Sequence, residues 1–265
     1  AVITLNRPEA LNALTNNMMG ELKHALAKAE EDESVVGIIL TGEGRGFCSG
    51  MDMNALDATA SGKNLSEGVE RKKLTADPGD KSMGKDFEVA FTYIMSIRKP
   101  IIVAVNGACA GLGMSIALLC DMRFASENAK FITAFSQRGL VAEHGQSWIL
   151  PRLIGPARAL DLFWSSRRLT AEEAKDFGLV ERIFPHDELL HQTKAYIQEL
   201  ADKCAPVSMM VMKQQVYRHM NMSLGEAMHE TNKLMAESLG RSDFKEGVKS
   251  FMEKRAPEFS KIKIS

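Results

Sequence analysis

The sequence predicts an α/β core followed by a helical C-terminal region. As far as Phe184, short apolar runs alternate with helix-period stretches, the pattern of chained strand and helix units. Two of the runs, residues 35–40 and 101–105, are apolar throughout, as in strands covered on both faces. Beyond about Pro156 the helical period takes over.

Val2–Leu5 is an apolar run closed by Asn6-Arg7-Pro8, which reads as a strand and its turn. Met18, Met19, Leu22, Ala25, Leu26 and Ala29 then recur at helical spacing, and residues 35–40 form the next strand, ending at Thr41-Gly42. Residues 55–85, rich in Gly, Lys, Asp and Ser, are longer than a compact connection requires. Active-site lids and disordered loops both have this look, and the composition favours mobility. Phe87, Ala90, Phe91, Ile94 and Ile97 predict a helix leading through Pro100 into the strand 101–105. Residues 114–119 read as a short helix, and 122–125 and 130–134 as two strands separated by the turn-prone pair Glu127-Asn128.

Farther on, Thr170-Ala171-Glu172-Glu173 and Ser223-Leu224-Gly225-Glu226 are capping-box helix starts, and only residues 179–184 still read as a strand. Val207, Met210, Val211, Gln214 and Val216 form one helical stripe, and Ala227, Leu234 and Leu239 another. Core packing is the simplest reading of these stripes, ahead of a methionine-rich groove, and a subunit interface also suits them. The chain accordingly divides into residues 1–195, the α/β core, and 196–265, the helical region.

A chain of 265 residues that is 45% hydrophobic can bury a sizeable core. Its formal net charge of -1 lacks the basic excess of a surface that tracks phosphates, so no nucleic-acid partner is expected. Cys48, Cys109, Cys120 and Cys204 have no CxxC spacing and no histidine in ligand register. That argues against a metal site or a disulfide framework, and fits a reducing compartment, the cytoplasm or an organelle matrix. No run approaches the roughly 20 apolar residues of a membrane-spanning helix. The opening residues already read as a strand, with no basic and apolar stretch ahead of them, which argues against a secretory signal here.

Two glycine-rich segments carry the chemistry. Residues 42–53, Gly-Glu-Gly-Arg-Gly-Phe-Cys-Ser-Gly-Met-Asp-Met, follow one buried-type strand, and 106–115, Asn-Gly-Ala-Cys-Ala-Gly-Leu-Gly-Met-Ser, follow the other. Neither ends in the Gly-Lys-Ser/Thr of a phosphate loop, and the first lacks the immediate helix of a dinucleotide fingerprint. The second runs straight into a helix, whose first N–H groups are unpaired and lie at the positive end of its dipole. If Met51 N–H and Leu112 N–H converge, they form an oxyanion hole, in which fixed dipoles meet negative charge developing on a carbonyl oxygen.

The motifs Phe47-Cys48-Ser49-Gly50-Met51-Asp52 and Asn106-Gly107 through Asp121 resemble the paired signature of the crotonase, or enoyl-CoA hydratase/isomerase, superfamily. The resemblance extends to Leu5-Asn6-Arg7-Pro8-Glu9-Ala10-Leu11-Asn12, to Leu169-Thr170-Ala171 with Gly178-Leu179-Val180, and to Phe251-Met252-Glu253-Lys254-Arg255. It implies a β-β-α spiral core with a helical C-terminal trimerisation region, assembled as a homotrimer or a dimer of trimers. It further implies an acyl-CoA thioester as substrate, no separate cofactor, and the N–H groups of Met51 and Leu112 on the thioester oxygen. Ala10, Leu11 and Ser49 match positions lining the pantetheine and adenine end of CoA, and Gly50 and Gly111 belong to the substrate-binding set beside them. Phe251 and Lys254 match positions that reach the adenosine end, sometimes in a neighbouring subunit, although a cation at a helix C-terminus is an equal reading of Lys254.

The family's two hydratase glutamates are replaced here by Ser115 and Phe135, which argues against ordinary hydration. Glu143, in Gly139-Leu140-Val141-Ala142-Glu143-His144-Gly145, stands where the Δ3,Δ2-enoyl-CoA isomerase and phenylacetate-pathway isomerase branch resembled here keeps a single catalytic carboxylate. One carboxylate suffices for a 1,3-proton shift, and an apolar pocket around Glu143 is expected. His144 reads as its supporting neighbour, Ser115 as a small residue shaping the pocket, and Asp52 and Asp121 as structural residues that bind free backbone N–H groups. The reading is an enoyl-CoA isomerase. A hydratase, hydrolase or other lyase on the same hole is the alternative, and a noncatalytic acyl-CoA-binding or RNA-binding protein a remote one.

Overall fold

The computed structural model describes residues 1–62, 74 and 76–264 of the chain. Among them the strands are β1 Val2–Leu5, β2 Ile38–Gly42, β3 Gly46–Cys48, β4 Ile101–Val105, β5 Ala108–Ala110, β6 Met122–Ser126, β7 Lys130–Ile132, β8 Leu169–Thr170 and β9 Arg182–Phe184. The helices are α1 Asn16–Glu31, α2 Met53–Ala60, α3 Tyr93–Ser96, α4 Leu112–Leu119, α5 Gln146–Ile154, α6 Pro156–Ser165, α7 Ala171–Asp176, α8 Leu189–Lys203, α9 Pro206–His219, α10 Leu224–Leu239 and α11 Ser242–Glu253. β1, β2, β4, β6 and β9 lie in that order in one parallel sheet. β3, β5, β7 and β8 form a second sheet, in which only β8 runs antiparallel to its neighbour. The chain steps from a strand of the first sheet to a strand of the second and then to a helix, as in β2-β3-α2 and β4-β5-α4. That recurrence is the β-β-α spiral expected from the motifs.

β2 and β4 are buried at every position, and alternate side chains serve two cores. Ile38, Leu40, Ile101, Val103 and Val105 join the main core, while Ile39, Ile102 and Ala104 pack with Phe124 and Leu189 on the side covered by α8. Burial on both faces is the reason these strands read as unbroken apolar runs. α8 continues past residue 195, where the sequence divides the chain, and packs on β2, β4, β6 and β9.

Several local expectations change. The strand expected over 35–40 starts at Ile38 because Val35 closes a turn onto Asp32, and it runs on through Gly42. The helix expected across residues 87–97 is reduced to the single turn α3, since Ala90 takes a left-handed conformation with φ 44° and breaks the path. Phe87, Phe91, Ile94 and Ile97 are nevertheless buried, so their spacing reports a buried face and not a continuous helix. Residues 55–60, read as part of a polar lid, belong to α2, which starts at Met53 with Asp52 accepting the Asn54 N–H at 3.0 Å. Residues 63–73 and 75 of that segment lie outside the described residues. β3, β5 and β8 were not expected; they exist through pairing between stretches of two or three residues distant in sequence, too short to leave a local period to read.

The capping boxes at Thr170 and Ser223 are both formed. Core packing does not account for the second stripe, because no residue of α10 is buried in the single chain, and Val216 on α9 is exposed as well. One clasp on the helical region is Asp121, whose carboxylate accepts the Ile101 N–H at 2.7 Å and the Tyr217 hydroxyl at 2.9 Å and pairs with Lys213 Nζ at 2.8 Å. Burial and then the nearby Asp121 charge hold the Tyr217 phenol well above its ordinary range. Asp121→Ala leaves the buried Lys213 cation with only the Ile94 and Lys99 carbonyls and no counter-charge, and the expected cost is about 3 kcal/mol, read as a lower urea midpoint at unchanged slope.

Candidate active site

The two glycine-rich segments meet because β3 and β5 pair in parallel, with Cys48 opposite Cys109, so the chain leaves both strands at the same end. Close approach at that end depends on Gly113, where a Cβ would stand 2.4 Å from the Cys48 carbonyl oxygen. A Cβ on Gly50 would lie 3.7 Å from the Leu112 nitrogen, so the turn bearing Met51 abuts the start of α4. Gly111 makes that start possible: its φ of 50° and ψ of -116° are open to glycine and turn the chain from β5 directly into the helix.

Neither Met51 N–H nor Leu112 N–H donates a hydrogen bond among the described residues. The first helical donor of α4 is Ser115 N–H, to the Gly111 carbonyl at 3.0 Å, so Leu112 N–H precedes the ladder. The Gly50 carbonyl, in the same peptide unit as Met51 N–H, accepts the Leu14 N–H at 2.8 Å, which fixes where that N–H points. Chemically, two unengaged backbone donors at the open ends of adjacent strands suit an oxygen gaining negative charge.

The segment after β1 is strapped across the first turn. Ser49 N–H donates to the Leu11 carbonyl at 3.0 Å and Ser49 Oγ to the Ala10 carbonyl at 3.2 Å, so Ala10, Leu11, Ser49 and Gly50 are brought together. Buried Asn12 donates to the carbonyls of Glu43 and Gly46 at 2.9 and 2.8 Å. Arg7 reaches Asp52 at 3.0 Å, and that hydrogen bond holds the Asp52 carboxyl below its ordinary range. Asp52 thus has the structural part expected of it.

Ser115 is fully buried inside α4, and Phe135 is buried at the start of the turn that follows β7. Glu143 departs from the expected apolar enclosure: its side chain is 46% exposed, on a surface turn where His144 and Gly145 both take positive φ. His144 Nε2 lies 3.5 Å from a Glu143 oxygen, and the imidazole packs edge-on against Phe91, with ring centroids 5.6 Å apart. Next to it, Gly145 lines a cavity of about 300 Å³ together with Phe87, Met95, Leu119 and Trp148.

Gln146, which the sequence did not single out, joins these parts. Its N–H donates to the Glu143 carbonyl at 3.0 Å, and its buried side-chain Nε2 donates to the Gly111 carbonyl at 3.0 Å and to Ser115 Oγ at 2.8 Å. No local pattern marks such a residue, because its partners are some 30 residues away. Phe251 and Lys254 are on or just past α11. Phe251 is 86% exposed along an apolar groove whose lining residues all follow residue 204, so one chain by itself does not bring this pair to the glycine turns.

A β-β-α spiral with two open backbone donors at the ends of paired strands defines a crotonase-type protein. The profile of the family described as Enoyl-CoA hydratase/isomerase matches residues 1–262, and the chain belongs to that family. It is 33% identical over 261 residues to the 1,2-epoxyphenylacetyl-CoA isomerase of Escherichia coli K12, covering 97% of this chain and 94% of that protein. It is 36% identical over 260 residues to a probable enoyl-CoA hydratase of Rhodobacter capsulatus, covering 98% and 94%. The crystal structure of an enoyl-CoA hydratase from Polaromonas sp. JS666 superposes with a TM-score of 0.84 at 28% identity, covering 98% and 95% of the two chains. Among the described residues, no helix is long and apolar enough to cross a membrane.

Proposed function

We propose that this member of the family is an enoyl-CoA isomerase that shifts a double bond by a 1,3-proton transfer. The observation that carries the reading is that Glu143 sits on a turn hydrogen-bonded through Gln146 to the peptide presenting Leu112 N–H, while Ser115 and Phe135 fill the hydratase carboxylate places. In the proposed reaction the thioester oxygen lies between Met51 N–H and Leu112 N–H. Glu143 removes the α-proton, the enolate charge collects on that oxygen, and the same carboxyl returns the proton at the γ-carbon. The step is redox-neutral and calls for no cofactor besides the CoA thioester itself. Ala10, Leu11, Ser49, Gly50 and Gly111 supply the backbone for the CoA arm, and the cavity lined by Phe87, Met95, Leu119 and Trp148 supports an apolar acyl tail. A panel of 3-enoyl-CoA and 2-enoyl-CoA thioesters, assayed for isomerisation and for water addition, tests this. Migration without net hydration is expected, and hydration as the main activity would refute it.

The same reading includes a homotrimer or dimer of trimers. Phe244, Val248, Phe251 and Met252 line one face of α11, and Met228, Met235 and Leu239 stand on α10, all exposed in the single chain. Such a continuous apolar surface is suited to a second copy of the chain, which also carries Phe251 and Lys254 toward a neighbouring CoA arm. Light scattering at micromolar concentration is expected to give three or six times the mass of one chain, and a monomer would count directly against the assembly.

A further inference from the structure

We infer that Gln146 is a positioning residue that holds the Gly111–Leu112 peptide so that Leu112 N–H points at the substrate oxygen. The inference rests on the oxyanion reading above and adds a residue to it. Gly111 C=O and Leu112 N–H belong to one trans peptide unit, so they point in opposite directions, and whatever holds the carbonyl aims the N–H. The backbone fixes the sense of this unit but not its tilt. Gly111 has φ 50° and ψ -116°, and a half-turn of the following peptide, which glycine would tolerate, would also carry Leu112, the first residue of α4, to positive φ. Hydrogen bonds on the carbonyl therefore set its tilt and with it the aim of Leu112 N–H. They are the first helical bond of α4, from Ser115 N–H at 3.0 Å, a longer one from Ser115 Oγ at 3.4 Å and, from outside the helix, the bond from Gln146 Nε2 at 3.0 Å.

The carboxamide is oriented without ambiguity. Turning it over would set its oxygen against the Gly111 carbonyl oxygen, whereas the observed orientation gives two acceptors, Gly111 O and Ser115 Oγ, to one NH₂ group. The other end makes the case stronger: Gln146 Oε1 is buried and has no hydrogen-bond partner among the described residues. A buried acceptor without a partner costs stability, so a residue chosen for packing alone would be apolar here. The donor half of the amide is what the site uses. Through its own N–H to the Glu143 carbonyl, the same residue also sets the distance between the proton-transfer turn and the oxygen-binding peptide.

The test uses cinnamoyl-CoA, a conjugated thioester whose absorption moves to longer wavelength when hydrogen bonds polarise its carbonyl. The wild-type protein is expected to produce that red shift. Gln146→Leu is expected to keep its melting temperature and bind cinnamoyl-CoA, yet to lose most of the red shift and to lower kcat on the order of 10- to 100-fold with KM little changed. Gln146→Glu provides a second reading: an ionised carboxylate opposes the Gly111 carbonyl, but a protonated one can donate to it. Burial at this position raises a carboxyl above its ordinary value of about 4.3, so the variant's red shift should be present near about pH 5 and absent near about pH 8, while that of the wild type stays flat. A full red shift in Gln146→Leu, or a pH-independent one in Gln146→Glu, would overturn the inference and leave the oxyanion reading standing. Absence of any red shift in the wild type would overturn both.

Discussion

Glu143→Gln is expected to fold, to bind CoA thioesters and to lose double-bond migration by on the order of 10²–10⁴-fold, the usual worth of a positioned general base. The substitution keeps the shape of the side chain and its place on the turn between β7 and α5, and it removes only the group proposed to take and return the proton. Because Glu143 is exposed and its backbone carbonyl, not its carboxylate, accepts the Gln146 N–H, the fold has little stake in the charge. Exchange of the substrate α-proton with deuterated water should fall in parallel with turnover. Near wild-type turnover would show that another group moves the proton, and His144, 3.5 Å away and seated against Phe91, is the first to examine.

Leu112→Pro is expected to be nearly as damaging, for a different reason. Leu112 is the first residue of α4, a position where proline fits the helix and where its missing N–H breaks no helical bond. The substitution therefore deletes the proposed oxyanion donor and leaves the helix, at the cost of the buried leucine side chain, on the order of 1.5–3 kcal/mol of stability. The expected loss in kcat is about 10²–10³-fold, with CoA binding retained. Should a folded Leu112→Pro protein turn over at the wild-type rate, Leu112 N–H is no part of the chemistry. The pair of variants separates the two halves of the reaction: α-proton exchange requires both, whereas the red shift of bound cinnamoyl-CoA requires Leu112 and is indifferent to Glu143.

How much of the proposed site was legible depended on how local each part is. Met51 and Leu112 could be named because glycines at 50, 111 and 113 crowd around two strand ends, and backbone geometry leaves its mark in glycine. Glu143 could be named only through its motif, since a half-exposed carboxylate on a surface turn has nothing in its own neighbourhood to distinguish it. Gln146 was invisible. The part proposed for it rests on side-chain hydrogen bonds to Gly111 and Ser115 in another strand-helix unit, and no spacing within the sequence encodes that meeting.

The same division runs through the fold. By itself the sequence determined a strand at residues 35–40, observed at 38–42, the strand at 101–105, a helix over 114–119 that begins two residues earlier, the capping boxes at Thr170 and Ser223, and the glycine-rich turns, because each follows from nearest-neighbour chemistry. The second sheet, the reduction of the stretch before Pro100 to a single helical turn, the exposure of α10 and the clasp of Asp121 on Lys213 and Tyr217 were decided only in the tertiary structure. Each of these is a contact between residues far apart in the chain, or the lack of one. Its free energy depends on the partner that arrives, and a periodic pattern records which face of a segment seeks burial but not what comes to cover it.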